Sequence, residues 1–284
     1  MTGLLTAILA SAQAKTHKND ICNRVGVCTS VSNMQILKDA GGNYGEISIS
    51  STLIPEKSDE EFAAIAQAIK ETGLPITSAN GFFPGDICLV GPNADQERAL
   101  RYTEIAMRRA EEVGLKTAVL GSGTARRIPD GYSREKAFEQ FADLCRKMAP
   151  IAKKHGVTIV VEPLRQQETN FINSVLEGME LVKAVKHPNF QVLADIYHMT
   201  QGGESPQSII IAGKHLRHVH IAENANRTPP GTDGDDFTPY LEALKRIHYR
   251  GNISIECGWK NFKETLPGGL AELRRQLSKV FDTK

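Results

Sequence analysis

Apolar or β-branched runs of four to six residues recur eight times along this chain, at 25–29, 45–50, 75–79, 117–120, 157–162, 191–195, 216–221 and 253–256. Between them lie longer stretches such as "DEEFAAIAQAIKETG", "ADQERALRYTEIAMRRAEEVG", "SREKAFEQFADLCRKMAPIAKKHG" and "DFTPYLEALKRIHYRG". Their apolar residues fall at helical spacing and each ends on a glycine, the usual helix stop. Strands separated by helices pair in parallel through right-handed crossovers. Eight such units fit a closed (β/α)8 TIM barrel, an α/β fold that commonly takes about 250 residues. The first strand runs into "GVCTSVSNM", which lacks the GxGxxG of a dinucleotide-binding domain. No linker-like segment divides the units, so residues 15–284 read as one barrel domain. The long loops "GFFPGDICLVGPN" and "GSGTARRIPDGYS" follow strands three and four. They belong to the face where barrel enzymes carry their active sites.

Residues 1–14 stand apart. "TGLLTAILASAQAK" has an apolar stretch followed by Ala12-Gln13-Ala14, the small-x-small pattern of a signal-peptidase site, although no positive charge precedes it. It reads as a signal peptide leading to the periplasm or the exterior, with a mature chain starting near Lys15. The alternative is an N-terminal extension or misassigned start on a cytoplasmic protein. No run approaches the roughly 18–20 apolar residues of a membrane span. Lys plus Arg number 34 against 33 Asp plus Glu, so no net positive field favours nucleic acid, though a local basic patch is compatible with the balance. The five cysteines show no zinc spacing and cannot all pair within one chain; they read as mostly buried thiols.

Strand five ends on a carboxylate, Glu162, with Pro163 behind it. A charge at the end of a buried strand needs a partner or a metal. Strand six ends at Asp195, strand seven carries His220 near its end, and strand eight ends at Glu256. The separations are 33, 25 and 36 residues, each near the roughly 30 residues of a βαβ repeat. All four groups should therefore stand at similar height around half of the barrel mouth. Three carboxylates and one imidazole suit a hard divalent ion, Mn²⁺ first, with Mg²⁺ or Co²⁺ as alternatives. His218 shares a strand face with His220 and reads as a hydrogen-bonded barrel-layer residue.

The motifs "EPLRQQET", "ADIYHM", "HVHIAEN" and "SIEC" carry these groups. Through them residues 24–282 resemble the sugar phosphate isomerase/epimerase superfamily of xylose isomerase-like barrels, and most closely its ketose 3-epimerase branch. The resemblance implies that Glu162, Asp195, His220 and Glu256 ligate the metal. It also implies that Glu168, His198 and Arg227 contact the sugar's hydroxyl and carbonyl oxygens. The branch usually reads E-N-D-R after the histidine, whereas "ENANR" holds one more residue, which leaves the role of Arg227 open. Other readings stay open as well. Glu168 could cap a helix beginning near Asn173, Arg126 and Arg127 could bind a polar or anionic substrate group or face water, and Phe82 with Phe83 could wall a sugar or pack the loop.

The implied chemistry is epimerisation or isomerisation of a ketose or related keto-sugar. Glu162 and Glu256 would exchange a proton through a metal-stabilised enediolate. The same abstraction becomes a 3-keto-glycoside lyase or hydratase when a leaving group sits one carbon away. A non-catalytic sugar- or metal-binding barrel is the reading from another class. A related DNA-repair endonuclease would need further histidine ligands and a basic face, and neither is evident. A small sugar is the expected partner, and self-association is compatible with the sequence.

Overall fold

The computed structural model describes residues 21–282; the leader reading of residues 1–14 lies outside them. Strands and helices alternate in the order β1 (Val25–Cys28), α1 (Met34–Asp39), β2 (Tyr44–Ser48), α2 (Asp59–Thr72), β3 (Ile76–Asn80), α3 (Gln96–Glu112), β4 (Thr117–Leu120) and α4 (Arg134–Lys154). They continue as β5 (Thr158–Val161), α5 (Val175–Val185), β6 (Phe190–Asp195), α6 (Ile196–Gln201), α7 (Gln207–Ala212), β7 (Leu216–Ile221), α8 (Thr238–Arg246), β8 (Asn252–Ile255) and α9 (Phe262–Phe281). Every strand pairs in parallel with the next, and β8 closes on β1 through Val25 opposite Ile253. The eight strands anticipated from sequence all form, each bound falling within two residues.

Local chemistry sets the long helices. Ser58 and Glu61 form a capping box at the start of α2, and Gly73 ends it at φ 61°, a left-handed turn that suits glycine. Ser133 and Ser174 accept N–H bonds at the starts of α4 and α5. Glu168 therefore does not cap a helix; Ser174 has that role. The helices bury one apolar face each against the outside of the sheet, where the main core lies.

The barrel interior is divided. Val119, Val160 and Leu193, from β4, β5 and β6, form a small apolar cluster of their own, separate from the outer core. The opposite wall is polar. Glu46 of β2, wholly buried, accepts from Ser78 Oγ at 2.6 Å and Ser254 Oγ at 2.5 Å and meets His218 Nε2 at 2.7 Å. A buried carboxylate is tolerable here because each of its oxygens is bonded.

The reading of mostly buried cysteines is corrected. The five cysteines are free, but only Cys145 is buried; Cys88 is exposed and Cys22, Cys28 and Cys257 are half-buried. His198 lies on the short helix α6. No helix among the described residues is long and apolar enough to cross a membrane.

Candidate active site

At the C-terminal mouth of the barrel, Glu162, Asp195, His220 and Glu256 each offer one ligand atom, and these atoms all lie within 4.8 Å of one another. Asp195 is the last residue of β6, and Glu162 and Glu256 follow β5 and β8 directly. His220 stands opposite Asp195 on one side and Ser254 on the other. Its Nδ1 is 2.9 Å from Glu162 Oε1 and 3.2 Å from Glu256 Oε2.

The other imidazole nitrogen decides which one faces the cluster. His220 Nε2 meets Glu46 Oε1 at 2.8 Å, so Nε2 carries a proton toward Glu46 and Nδ1 is turned to the ligand group. A carboxylate behind a ligating histidine orients the ring and raises its basicity. Glu46 was not singled out from sequence. The signal was present, because "YGEIS" holds a lone charge inside an otherwise uncharged strand.

Asp195 is oriented in a similar way. Its Oδ1 accepts the Tyr197 N–H at 2.8 Å, which leaves Oδ2 for the site. Asn80 Nδ2 donates to Glu256 Oε1 at 2.7 Å and so turns Oε2 to the cluster. Glu162 Oε2 has room only because residue 121 is glycine; a Cβ there would stand 2.4 Å from that oxygen.

Electrostatics separate the two glutamates. Burial pushes the Glu162 carboxyl above the usual carboxylate range, and the charge of Glu256 adds to the effect. Burial also opposes ionisation of Glu256, yet the His220 imidazole and the Arg227 guanidinium outweigh it and hold Glu256 at about 2. Burial disfavours a charged His220, but Glu46 and Glu256 overcome that and raise it well above its ordinary value. The donor set thus draws a positive charge to its centre. Three carboxylates, one imidazole and two of their supporting hydrogen bonds fit a hard divalent cation, which would displace the imidazole proton from Nδ1.

Above the cluster stand the three residues implied as sugar contacts, and all converge. His198 Nδ1 accepts the Arg165 N–H at 3.4 Å. Its Nε2 is buried without a hydrogen-bond partner, 3.4 Å from Asp195 Oδ2 and 4.0 Å from Glu168 Oε2. An orphaned buried donor at a cleft is open to a substrate oxygen. Arg227 reaches the site despite the extra residue of "ENANR": its Nη2 contacts Glu256 Oε2 and lies 3.3 Å from Asp195 Oδ2. Arg227 sits at φ 51°, and the loop after it winds around buried Glu223, which accepts N–H bonds from Gly231 at 2.6 Å, Gly234 at 3.2 Å, Asp235 at 3.3 Å and Asp233.

Arg126 does not face the mouth. It is fully buried, and its guanidinium donates to the carbonyls of Leu120, Glu162, Phe171 and Ile172. Arg127 donates to the Glu168 carbonyl at 2.9 Å. Phe82 and Phe83 are buried against each other and Tyr102, packing the loop rather than walling a sugar.

The model of the xylose isomerase-like TIM barrel family matches residues 34–279. The chain belongs to that family. It is 31% identical to the L-ribulose 3-epimerase of Methylomonas sp. (strain DH-1) over 169 residues, which are 53% of this chain and 58% of that protein. That match therefore spans less than two thirds of the relative's length. The chain is 29% identical to the 3-dehydro-D-guloside 4-epimerase of Escherichia coli (strain K12) over 201 residues, covering 68% and 75% of the two chains. Among solved structures, a 3-keto-D-glucoside 4-epimerase from E. coli superposes with a TM-score of 0.75 at 23% identity, over 89% of this chain and 99% of the other. A D-psicose 3-epimerase crystallised in the presence of D-fructose gives 0.76 at 20% identity, over 92% and 100%. At such identities the superpositions speak for the fold. The named curated relatives are sugar epimerases, enzymes of the isomerase class.

Proposed function

We propose that this chain is a divalent-metal-dependent epimerase of a keto-sugar, with Glu162 and Glu256 as its proton-transfer groups. The observation that carries this reading is the convergence of four ligand atoms from β5 to β8 within 4.8 Å, with two glutamates three strands apart around the mouth. Glu162, Asp195, His220 and Glu256 would hold the ion, Mn²⁺ by the hardness of the set. Bound there, it would polarise the sugar's carbonyl and neutralise the negative charge that develops on the enediolate.

The residues of the chain do the rest. One glutamate takes the proton from the carbon beside the carbonyl, and the electron pair moves into the enediolate. The other delivers a proton to the opposite face, the electron pair returns to re-form the carbonyl, and the carbon is inverted. The glutamate that is ionised in the forward direction abstracts the proton and its counterpart supplies one; in the reverse direction the roles exchange. His198 Nε2–H and Arg227 donate to sugar oxygens, and Glu168 accepts from a hydroxyl. Asn80 keeps the Glu256 carboxylate from rotating away.

Metal content tests the reading. Purified protein is expected to hold close to one divalent ion per chain, to lose turnover on chelation, and to recover it with Mn²⁺ or Co²⁺. Asp195→Ala should lose the ion, whereas His198→Ala should retain it and lose turnover. Full activity in metal-free protein would contradict the proposal.

A further inference from the structure

The loop between β5 and α5 sets a further guanidinium beside the reaction site. Arg165 Nε donates to Glu168 Oε1 at 2.9 Å, and its guanidinium carbon stands 5.2 Å from the Tyr197 ring centroid. The same ring takes the Arg227 guanidinium at 4.8 Å. The Arg165 side chain is only 28% exposed, yet among the described residues neither of its terminal nitrogens has a hydrogen-bond partner. A guanidinium fixed through Nε and a ring, with both NH₂ groups open, is a ready fork for a bidentate oxyanion.

Charge points the same way. Among the described residues, Glu168 is the sole carboxylate bonded to Arg165. It also lies 3.9 Å from Arg227 Nη1, and Arg127 holds its carbonyl. Two arginines thus share the Glu168 carboxylate with a third on its backbone carbonyl, and among the described residues Arg227 has further acids, Asp195 and Glu256, whereas Arg165 has none. Position sets which part of a substrate Arg165 meets. From Asp195 the contacts run to His198 Nε2, from His198 Nε2 to Glu168 Oε2, and from Glu168 Oε1 to Arg165. A sugar whose reacting carbon lies at Asp195 and its fellow ligands and which follows that chain would bring its far end to Arg165.

We propose that Arg165 binds an oxyanion on the substrate, so that the preferred substrate is a keto-sugar carrying a carboxylate or phosphate at the end remote from the inverted carbon. This rests on the keto-sugar reading above. The plain alternative is that Arg165 only braces Glu168, and the two differ in a ratio. Titration calorimetry on Mn²⁺-loaded protein would compare three probes of one skeleton: a ketohexose, its C6-carboxylate and its C6-phosphate. At least one anion should bind tenfold or more tighter than the neutral sugar. Whichever anion gains identifies the source of the oxyanion. Arg165→Gln should collapse that ratio by about tenfold, because the fork is lost, whatever common loss the three probes share.

Equal affinities for all three probes in the unmodified protein would overturn the proposal, and this comparison needs no variant. Loss by one common factor in Arg165→Gln would overturn it as well, leaving Arg165 as a brace. Solvent-proton exchange on the same samples separates the two levels. Anion-selective binding without exchange into any probe would refute the epimerase reading while supporting the oxyanion fork.

Discussion

Gly121→Ala is expected to remove turnover almost as completely as Glu162→Gln, while the fold stays intact. The added Cβ would stand 2.4 Å from Glu162 Oε2, with the Leu164 side chain next nearest at 3.9 Å. Only the end of one flexible side chain has to move, so the thermal midpoint should change little. That side chain is a proposed metal ligand and proton carrier. Displacing a positioned acid or base forfeits roughly 10²- to 10⁴-fold in rate, and ion affinity should fall with it. Circular dichroism, metal content and turnover measured on one preparation would check all three. Unchanged turnover in Gly121→Ala would show that the position of Glu162 Oε2 is not the one the chemistry uses.

Arg126→Ala is expected to give the largest loss of stability. Four carbonyls from the β4 and β5 loops converge on this one buried guanidinium, which burial holds down at about 10. Alanine would leave the Glu162 and Phe171 carbonyls unsatisfied, at roughly 1–3 kcal/mol each, while the Leu120 and Ile172 carbonyls keep the backbone N–H bonds of Glu162 and Leu164. For a chain of this size that corresponds to a fall of about 10 °C in thermal midpoint. One of the four is the carbonyl of Glu162 itself, so residual activity should fall too. Wild-type stability with weakened sugar binding would instead restore the reading of Arg126 as a substrate ligand.

The sequence was most legible where physical signals repeat. Eight β-branched runs between amphipathic helices carried the barrel, and four metal-compatible groups at successive strand ends marked its mouth. Short elements escaped because α1, α6 and α7 have six residues each, too few for a helical period to register. Glu46 escaped because it lies mid-strand, although its isolated charge is the same kind of signal that drew attention to Glu162. Arg126 and Arg165 could not be told apart from surface arginines, since most of the acceptors around one and the ring beside the other come from parts of the chain at least 30 residues away. Arg227 is the opposite case. Its extra residue left the role open in sequence, yet the guanidinium reaches Glu256 and Asp195.

Proton exchange between two faces of one carbon is read directly by NMR in D₂O with Mn²⁺. Free ketoses and 3-keto-glycosides would be incubated with the enzyme and followed for label, configuration and cleavage. A solvent deuteron is expected on the carbon beside the ketone, with inverted configuration and no released alcohol or sugar. Cleavage of a 3-keto-glycoside while free ketoses stay unlabelled at saturating Mn²⁺ would contradict the epimerase reading and establish a lyase in its place.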